Sequence, residues 1–272
     1  MILYSIQLYA DFSGGIDITI GIAQMFGITM DENFRQPYFS RSIGEFWRRW
    51  HITLGTWMKD YIFYPFSLSR CMNKFGKWCK KTFGNNVGKL LPVSLANLLV
   101  FFIVGIWHGA AWKYIMYGMY NGVIIAASGM LAPVYARIHE SLHINTKSWW
   151  YQVFCIIRTF ILVNIGFYFD MAPDLHAANV MLLDTVTKAH LSQISMATVK
   201  AVGLTAQDLI IVAAGCIIIF VVSILKEKGI KIREMVASRN IVLRWFIYIV
   251  FIMFILIYGS TSTTSDFIYA NF

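Results

Sequence analysis

Two histidines interrupt apolar, tryptophan-rich sequence in this chain. One is His51, in Glu45-Phe46-Trp47-Arg48-Arg49-Trp50-His51-Ile52-Thr53-Leu54; the other is His108, in Gly105-Ile106-Trp107-His108-Gly109-Ala110-Ala111-Trp112. An ionisable side chain at membrane depth is costly and as a rule faces a polar cavity or a partner group. Imidazole takes and returns a proton near neutral pH, so general base chemistry is the first role to weigh. Acyl transfer is one such reaction, since a hydroxyl becomes nucleophilic toward an ester or thioester when an imidazole is within hydrogen-bond reach. The plainer account of His108 is a buried ring satisfied by one hydrogen bond, with Trp107 as packing. Gly105 and Gly109 beside it either let backbones approach or leave room for a thin substrate. The plainer account of His51 is an interfacial helix, with Trp47 and Trp50 at headgroup level and Arg48 and Arg49 on phosphates. If that segment is helical, Trp47, Trp50 and His51 lie on adjoining faces, and the arginines suit the phosphates of an acyl donor. A tetrahedral oxyanion there would draw on backbone amides or on the indole N–H groups of Trp47 and Trp107.

Other constellations carry less. His139-Glu140-Ser141-Leu142-His143 has the H-E-x-x-H spacing, which on a helix puts two imidazoles on one face with a glutamate as base for zinc proteolysis. It follows Pro133 in a short connection and no third ligand is at hand, His176 and His190 falling on the opposite side by the topology below; no metal is expected. Asp11, Asp17 and Asp31-Glu32 suit a proton relay, but hydrogen-bonded carboxylates inside a bundle explain the first two equally well. Gly14-Gly15 is followed by no Lys-Ser/Thr phosphate loop, and no Gly-x-Ser-x-Gly elbow occurs. Cys71, Cys79, Cys155 and Cys216 form no CxxC pair and no zinc spacing; disulfides are not expected.

The elements that must position these groups follow from composition. Of 272 residues 58% are hydrophobic and 14% charged, against about 25% charged in soluble domains. The balance indicates an all-α, polytopic integral membrane helix bundle, without a soluble domain or internal repeat. The net charge of +9 gathers beside hydrophobic spans, which argues for the membrane and against nucleic acid. Five stretches are long and apolar enough to cross: Val93–Trp112, Tyr114–Leu131, Trp150–Phe169, Leu209–Leu225 and Ile241–Tyr258. A sixth, Ile2–Ile28, carries Asp11, Ser13 and Asp17 and is expected to pack inside protein or line a cavity. Ile52–Phe66 reads as a re-entrant or interfacial helix. Asn97 and Asn164 are candidate interhelical hydrogen-bonding groups, and Arg158 faces a partner helix or snorkels. The basic segments Ser67–Pro92 and Lys226–Asn240 are read as cytoplasmic loops. Alternation of the spans then puts the segment with Asp170, Asp174 and Asp184 outside and His108 in the outer half of its helix. The whole reads as a single membrane domain, 1–272, with the motifs in 1–131 and further transmembrane helices in 132–272.

The motifs also carry a resemblance. Tyr9-Ala10-Asp11-Phe12-Ser13-Gly14-Gly15-Ile16-Asp17, then Glu32-Asn33-Phe34, Pro37-Tyr38, Phe46-Trp47-Arg48-Arg49-Trp50-His51, Thr56-Trp57-Met58-Lys59-Asp60-Tyr61 and Trp107-His108-Gly109 resemble, in order, the membrane-bound O-acyltransferase family. The likeness is to its bacterial branch near the alginate O-acetyltransferases, with D-alanyl transferases of teichoic acid as cousins. It is specific over Tyr9–Gly122 and continues more weakly to the aromatic terminus at 266–272. It implies a helix bundle around a tunnel, a thioester donor (acetyl-CoA or another acyl thioester) from the cytoplasm, and a hydroxyl acceptor outside. It assigns catalysis to His108 and a second catalytic or structural role to His51. Trp47, Arg48, Arg49, Trp50, Trp107, Asp11, Asp17, Asp60 and Asn97 are the candidate substrate and tunnel residues. Many relatives have a histidine where this chain has Asn121. The resemblance covers the family's C-terminal half, so the helices that complete the bundle are expected either from a longer form of this sequence or from an independent chain.

These readings converge on O-acetylation of an extracytoplasmic, cell-surface polysaccharide, in a bacterial cytoplasmic membrane, with no bound cofactor and with an extracytoplasmic acetyltransferase as partner. The alternatives are D-alanyl transfer to teichoic acid, a non-enzymatic acyl or glycan export subunit and, remotely, an intramembrane zinc metalloprotease.

Overall fold

The computed structural model describes residues 1–188, 195–201 and 203–259; His190 and the aromatic stretch 266–272 lie outside the described residues. Among those described there is no strand, only an isolated antiparallel bridge between Phe34 and Trp50. The described residues form two compact units, one spanning 1–187 and the other lying within 188–259.

The first unit contains α1 (Ile2–Met25), α2 (Ile43–Arg49), α3 (Ile52–Met58), a π-helical turn at Lys59–Phe63, α4 (Tyr64–Ser67), α5 (Arg70–His108), α6 (Trp112–Ser141), α7 (Trp149–Met171) and α8 (Leu175–Thr187). The second contains α9 (Met196–Ala201), α10 (Ala206–Glu227), α11 (Ile232–Ala237) and α12 (Ile241–Tyr258). Helix starts are set by side chains that satisfy the otherwise orphaned first N–H groups. Ser42 accepts from the Glu45 amide and Ser69 from Met72, and Thr205 with Asp208 forms a reciprocal capping box. Helices α5, α6, α7, α10 and α12 are each long and apolar enough to cross a membrane. They coincide with the five stretches read from hydropathy, and the protein is an integral membrane protein. No residue of α12 is buried within the protein, and of α10 only Ser223 is; helices apolar all round suit lipid.

The basic segment read as a loop is helical. At Gly84 (φ 80°, ψ 172°) α5 leaves helical geometry, a conformation only glycine adopts without strain. Residues equidistant from that turn face each other: a Cβ on Gly76 would lie 3.5 Å from the Pro92 ring, and Gly88 abuts the Lys80 backbone. Residues 70–83 and 85–108 are therefore the two arms of a helical hairpin. The sequence-based reading failed because a lysine-rich stretch without apolar length is compatible with loop and with surface helix alike.

The second arm packs on α6 with little intervening side chain. Gly118 sits against the Phe101 carbonyl and Gly105, and a Cβ on Gly105 would be 2.7 Å from the Tyr114 carbonyl oxygen. The glycine before His108 thus serves close backbone approach and leaves no room for substrate. Helix α1 is tied to α7 by polar bonds between apolar faces: Ser5 Oγ donates to Asn164 Oδ1 (2.6 Å) and Tyr4 to Asp170 Oδ2 (2.9 Å). Asp170 was placed in an exposed outer segment by its charge; it belongs to α7 and is 7% exposed. Lys113 Nζ, bonded to the Asp170 and Ala172 carbonyl oxygens at 3.2 and 2.7 Å, places a cation at that helix end. Arg158 reaches the Arg41 carbonyl oxygen (2.8 Å). Asp17 is exposed on α1, and Asp11 is half-buried.

Candidate active site

His51 is where the local backbone departs most from the helix assumed for it. Helix α2 ends at Arg49; Trp50 is extended (φ −106°, ψ 127°) and His51 is left-handed (φ 47°, ψ 56°). A non-glycine residue there is uncommon and persists only where its surroundings hold it. The segment 33–35 supplies that hold: the Arg35 amide donates to the Arg49 carbonyl (2.9 Å) and the Ile52 amide to the Asn33 carbonyl (3.0 Å). The reversal sends neighbouring side chains opposite ways, so Trp47, Trp50 and His51 do not share one helical surface. Trp50 is buried, stacked on Phe46 (5.5 Å between centroids) with Phe34 edge-on (5.1 Å). His51 turns instead to a cavity.

That cavity, of about 520 Å³, is lined by α2 and α3 on one side and by α5 on the other, with Trp47, Arg48, His51, Lys59, Asn97 and Val104 among its walls. Its size is in the range of small-molecule sites. It abuts the π-helical turn at Lys59–Phe63, a feature frequent at functional positions.

The protonation state of His51 follows from its partners. Asn33 Oδ1 accepts from the Thr53 backbone N–H (3.1 Å) and the Thr53 hydroxyl (2.7 Å), and lies 3.0 Å from His51 Nδ1. A backbone N–H only donates, so the Asn33 atom facing it is the oxygen, and His51 Nδ1 must carry the proton that the same oxygen receives. In the neutral ring Nε2 is then the unprotonated nitrogen, the atom a base uses. Burial pushes the ring down to about 4, because desolvation disfavours the imidazolium; His51 is neutral at pH 7.

His108 is differently placed. It is 8% exposed and is not among the cavity walls. Its ring stacks on Tyr114 (6.0 Å) with Tyr117 edge-on (5.4 Å). Trp107 is in ring contact with both imidazoles, its centroid 5.9 Å from that of His51 and 5.0 Å from that of His108. The two motifs, 57 positions apart in sequence, therefore meet at one indole ring. The rings of Trp107, Tyr114 and Tyr117 pack around His108.

Of the other candidates, Trp47, Arg48 and Asn97 reach the cavity, whereas Arg49, Trp50, Asp11, Asp17 and Asp60 are not among its walls. Arg49 is engaged in structure: its Nη2 donates to Glu45 Oε1 (2.7 Å), and Arg41 holds Glu45 Oε2 through its backbone N–H (2.9 Å). Burial acts to raise the Glu45 carboxyl, but the Arg41 amide and the two guanidinium groups hold it below the usual range. The Trp47 indole N–H donates to Asn121 Oδ1 (3.0 Å), and Asn121 Nδ2 to the Tyr117 carbonyl (2.9 Å). That indole is committed to Asn121, which removes it as an oxyanion donor and gives Asn121 a definite task, holding Trp47 on the cavity wall. The sequence offered no signal for Asn33 beyond its position in a motif segment, and Asn121 stood out only as the residue where many relatives have a histidine. The H-E-x-x-H residues do not share a helix face: α6 ends at Ser141 and His143 is left-handed (φ 51°). The Tyr151 hydroxyl pairs with His139 Nε2 at 2.9 Å.

Residues 1–79 match the model of the membrane-bound O-acyltransferase family. The chain is 37% identical over 178 residues to a probable alginate O-acetylase of Pseudomonas syringae pv. tomato, covering 65% of this chain and 29% of that protein. It is 33% identical over 195 residues to a peptidoglycan O-acetyltransferase of Helicobacter pylori (70% of this chain, 32% of that one). Against a teichoic acid D-alanyltransferase of Bacillus subtilis the figure is 32% over 173 residues (64% and 40%). The chain thus spans about a third of the length of the curated relatives it matches. By family model, by relatives over most of its own length and by its helical architecture, this chain belongs to the membrane-bound O-acyltransferase family.

Proposed function

We propose that the chain carries the reaction centre of a membrane O-acyltransferase that acetylates an extracytoplasmic polysaccharide. The observation that carries this reading is the contact of both His51 and His108 with Trp107, His51 lining a cavity. In this reading an acyl thioester, acetyl-CoA or a related donor, occupies the cavity, where Arg48 and Lys59 suit an anionic group and His51 Nε2 accepts a hydrogen bond from the donor. His108 takes the proton of the acceptor hydroxyl, the oxygen attacks the thioester carbonyl, and the carbon–sulfur bond breaks. The departing thiolate takes the proton back from the imidazolium, so the ester and free thiol are the products. The Trp107 indole N–H and backbone amides are the candidate donors to the oxyanion. The membrane is the bacterial cytoplasmic one, with segments 67–92 and 226–240 on the cytoplasmic side and a separate extracytoplasmic acetyltransferase as partner.

Likeness to the Bacillus subtilis D-alanyltransferase supports a second reading, D-alanyl transfer to teichoic acid. Membranes supplied with labelled acetyl-CoA or with a D-alanyl thioester distinguish the two by which label enters glycan. Under either, His108→Ala abolishes transfer with normal membrane levels and unchanged donor binding, whereas His51→Ala weakens donor binding as well. Full transfer by His108→Ala removes it from the mechanism; acyl flux surviving both substitutions favours an export subunit.

A further inference from the structure

We propose that the first arm of the α5 hairpin is a headgroup-binding element, whose stripe Arg70, Lys74, Lys77 and Lys81 docks on anionic phospholipid of the bilayer that the second arm enters. The four positions recur at intervals of three or four residues, so they share one face of the arm, and all four side chains are exposed. Met72 and Cys79, on the opposite face, are buried against the rest of the first unit, which turns the stripe outward. No aspartate or glutamate occurs between Asp60 and Glu140, so no neighbouring acid in sequence neutralises the stripe.

Placement favours lipid over a soluble partner. Gly76 faces Pro92, and Val93 opens the apolar run of the second arm, so the middle of the stripe is level with the point where the spanning segment begins. Trp78, 53% exposed, flanks the stripe and stacks on Phe75 at 5.8 Å; tryptophan beside lysine at a span's end is characteristic of headgroup depth. Phosphate diesters of anionic lipid complement four cations on a single face.

The test uses the chain in nanodiscs of phosphatidylcholine alone or mixed with phosphatidylglycerol, with amide hydrogen exchange followed over 70–83. At low salt, exchange across the arm is expected to slow by about fivefold or more in the anionic discs, the difference vanishing near molar salt. Lys74→Gln/Lys77→Gln/Lys81→Gln abolishes the difference, and the corresponding lysine-to-arginine triple keeps it. Equal exchange of the unsubstituted chain in both lipids overturns the proposal. Protection that instead requires an added soluble acidic protein, with no lipid contrast, overturns it in favour of a protein partner. Should the glutamine triple open the hairpin, seen as lost protection over 93–104, the lipid contrast of the unsubstituted chain and of the arginine triple decides.

Discussion

Asn33 Oδ1 gathers the Thr53 amide, the Thr53 hydroxyl and His51 Nδ1, so one buried amide sets both the tautomer and the direction of the cavity imidazole. Asn33→Leu removes the acceptor those donors share and should cost about 0.5–1.5 kcal/mol per hydrogen bond lost, read as a lowered thermal midpoint in detergent. Asn33→Asp keeps the acceptors and adds a negative charge, so the His51 ring should become more basic, measured by NMR titration of its carbon-bound protons. In the unsubstituted chain that titration should centre near 4. The sign for stability follows: between about 6.5 and 4 the unfolded chain binds a proton at this histidine that the folded one refuses. Acidification through that window therefore destabilises the fold, and above the unfolded value the effect is absent. A His51 midpoint near 6.5 would mean that the ring is solvated. At this scale the residue types and spacing point to the candidate groups but not to their aim. Trp47-Arg48-Arg49-Trp50-His51 read as one helix; the left-handed turn at His51 sends Trp50 to the core and His51 to the cavity, and it depends on contacts from segment 33–35 that no local pattern encodes.

Among the elements, the spanning helices were legible because twenty apolar residues in a row have few alternatives. What escaped was the hairpin within α5, whose turn is a single glycine amid lysines and asparagines, and the glycine seam between its second arm and α6. Both are testable by adding a side chain. Gly84→Val must adopt φ near 80° with ψ near 172° and should cost about 1–3 kcal/mol, with loss of protection confined to 70–92. Gly118→Leu meets the Phe101 carbonyl and Gly105; α5 and α6 must separate, at about 1–3 kcal/mol or more. Because His108 ends α5 and stacks on Tyr114 of α6, that separation should also disturb the imidazole, visible as altered His108 resonances. An unchanged midpoint in Gly118→Leu would show that the two helices do not pack as closely as their glycines allow.

At the scale of the molecule, Trp107 touches both imidazoles, and His51 lines the cavity. Under the proposed function that cavity is the route by which the donor reaches them. Val100 lines it from α5, away from both histidines in sequence. Under the proposed function Val100→Trp should fill the space, lowering kcat/KM for the thioester by about a hundredfold, equivalent to about 2.7 kcal/mol of lost transition-state stabilisation. The His51 titration near 4 serves as the control that the wall itself is intact, because a collapsed cavity wall would hydrate the ring and raise its midpoint. A Val100→Trp variant that retains both the low midpoint and full transfer would place the donor elsewhere, and His51 would then be a structural histidine whose strained backbone serves the turn alone.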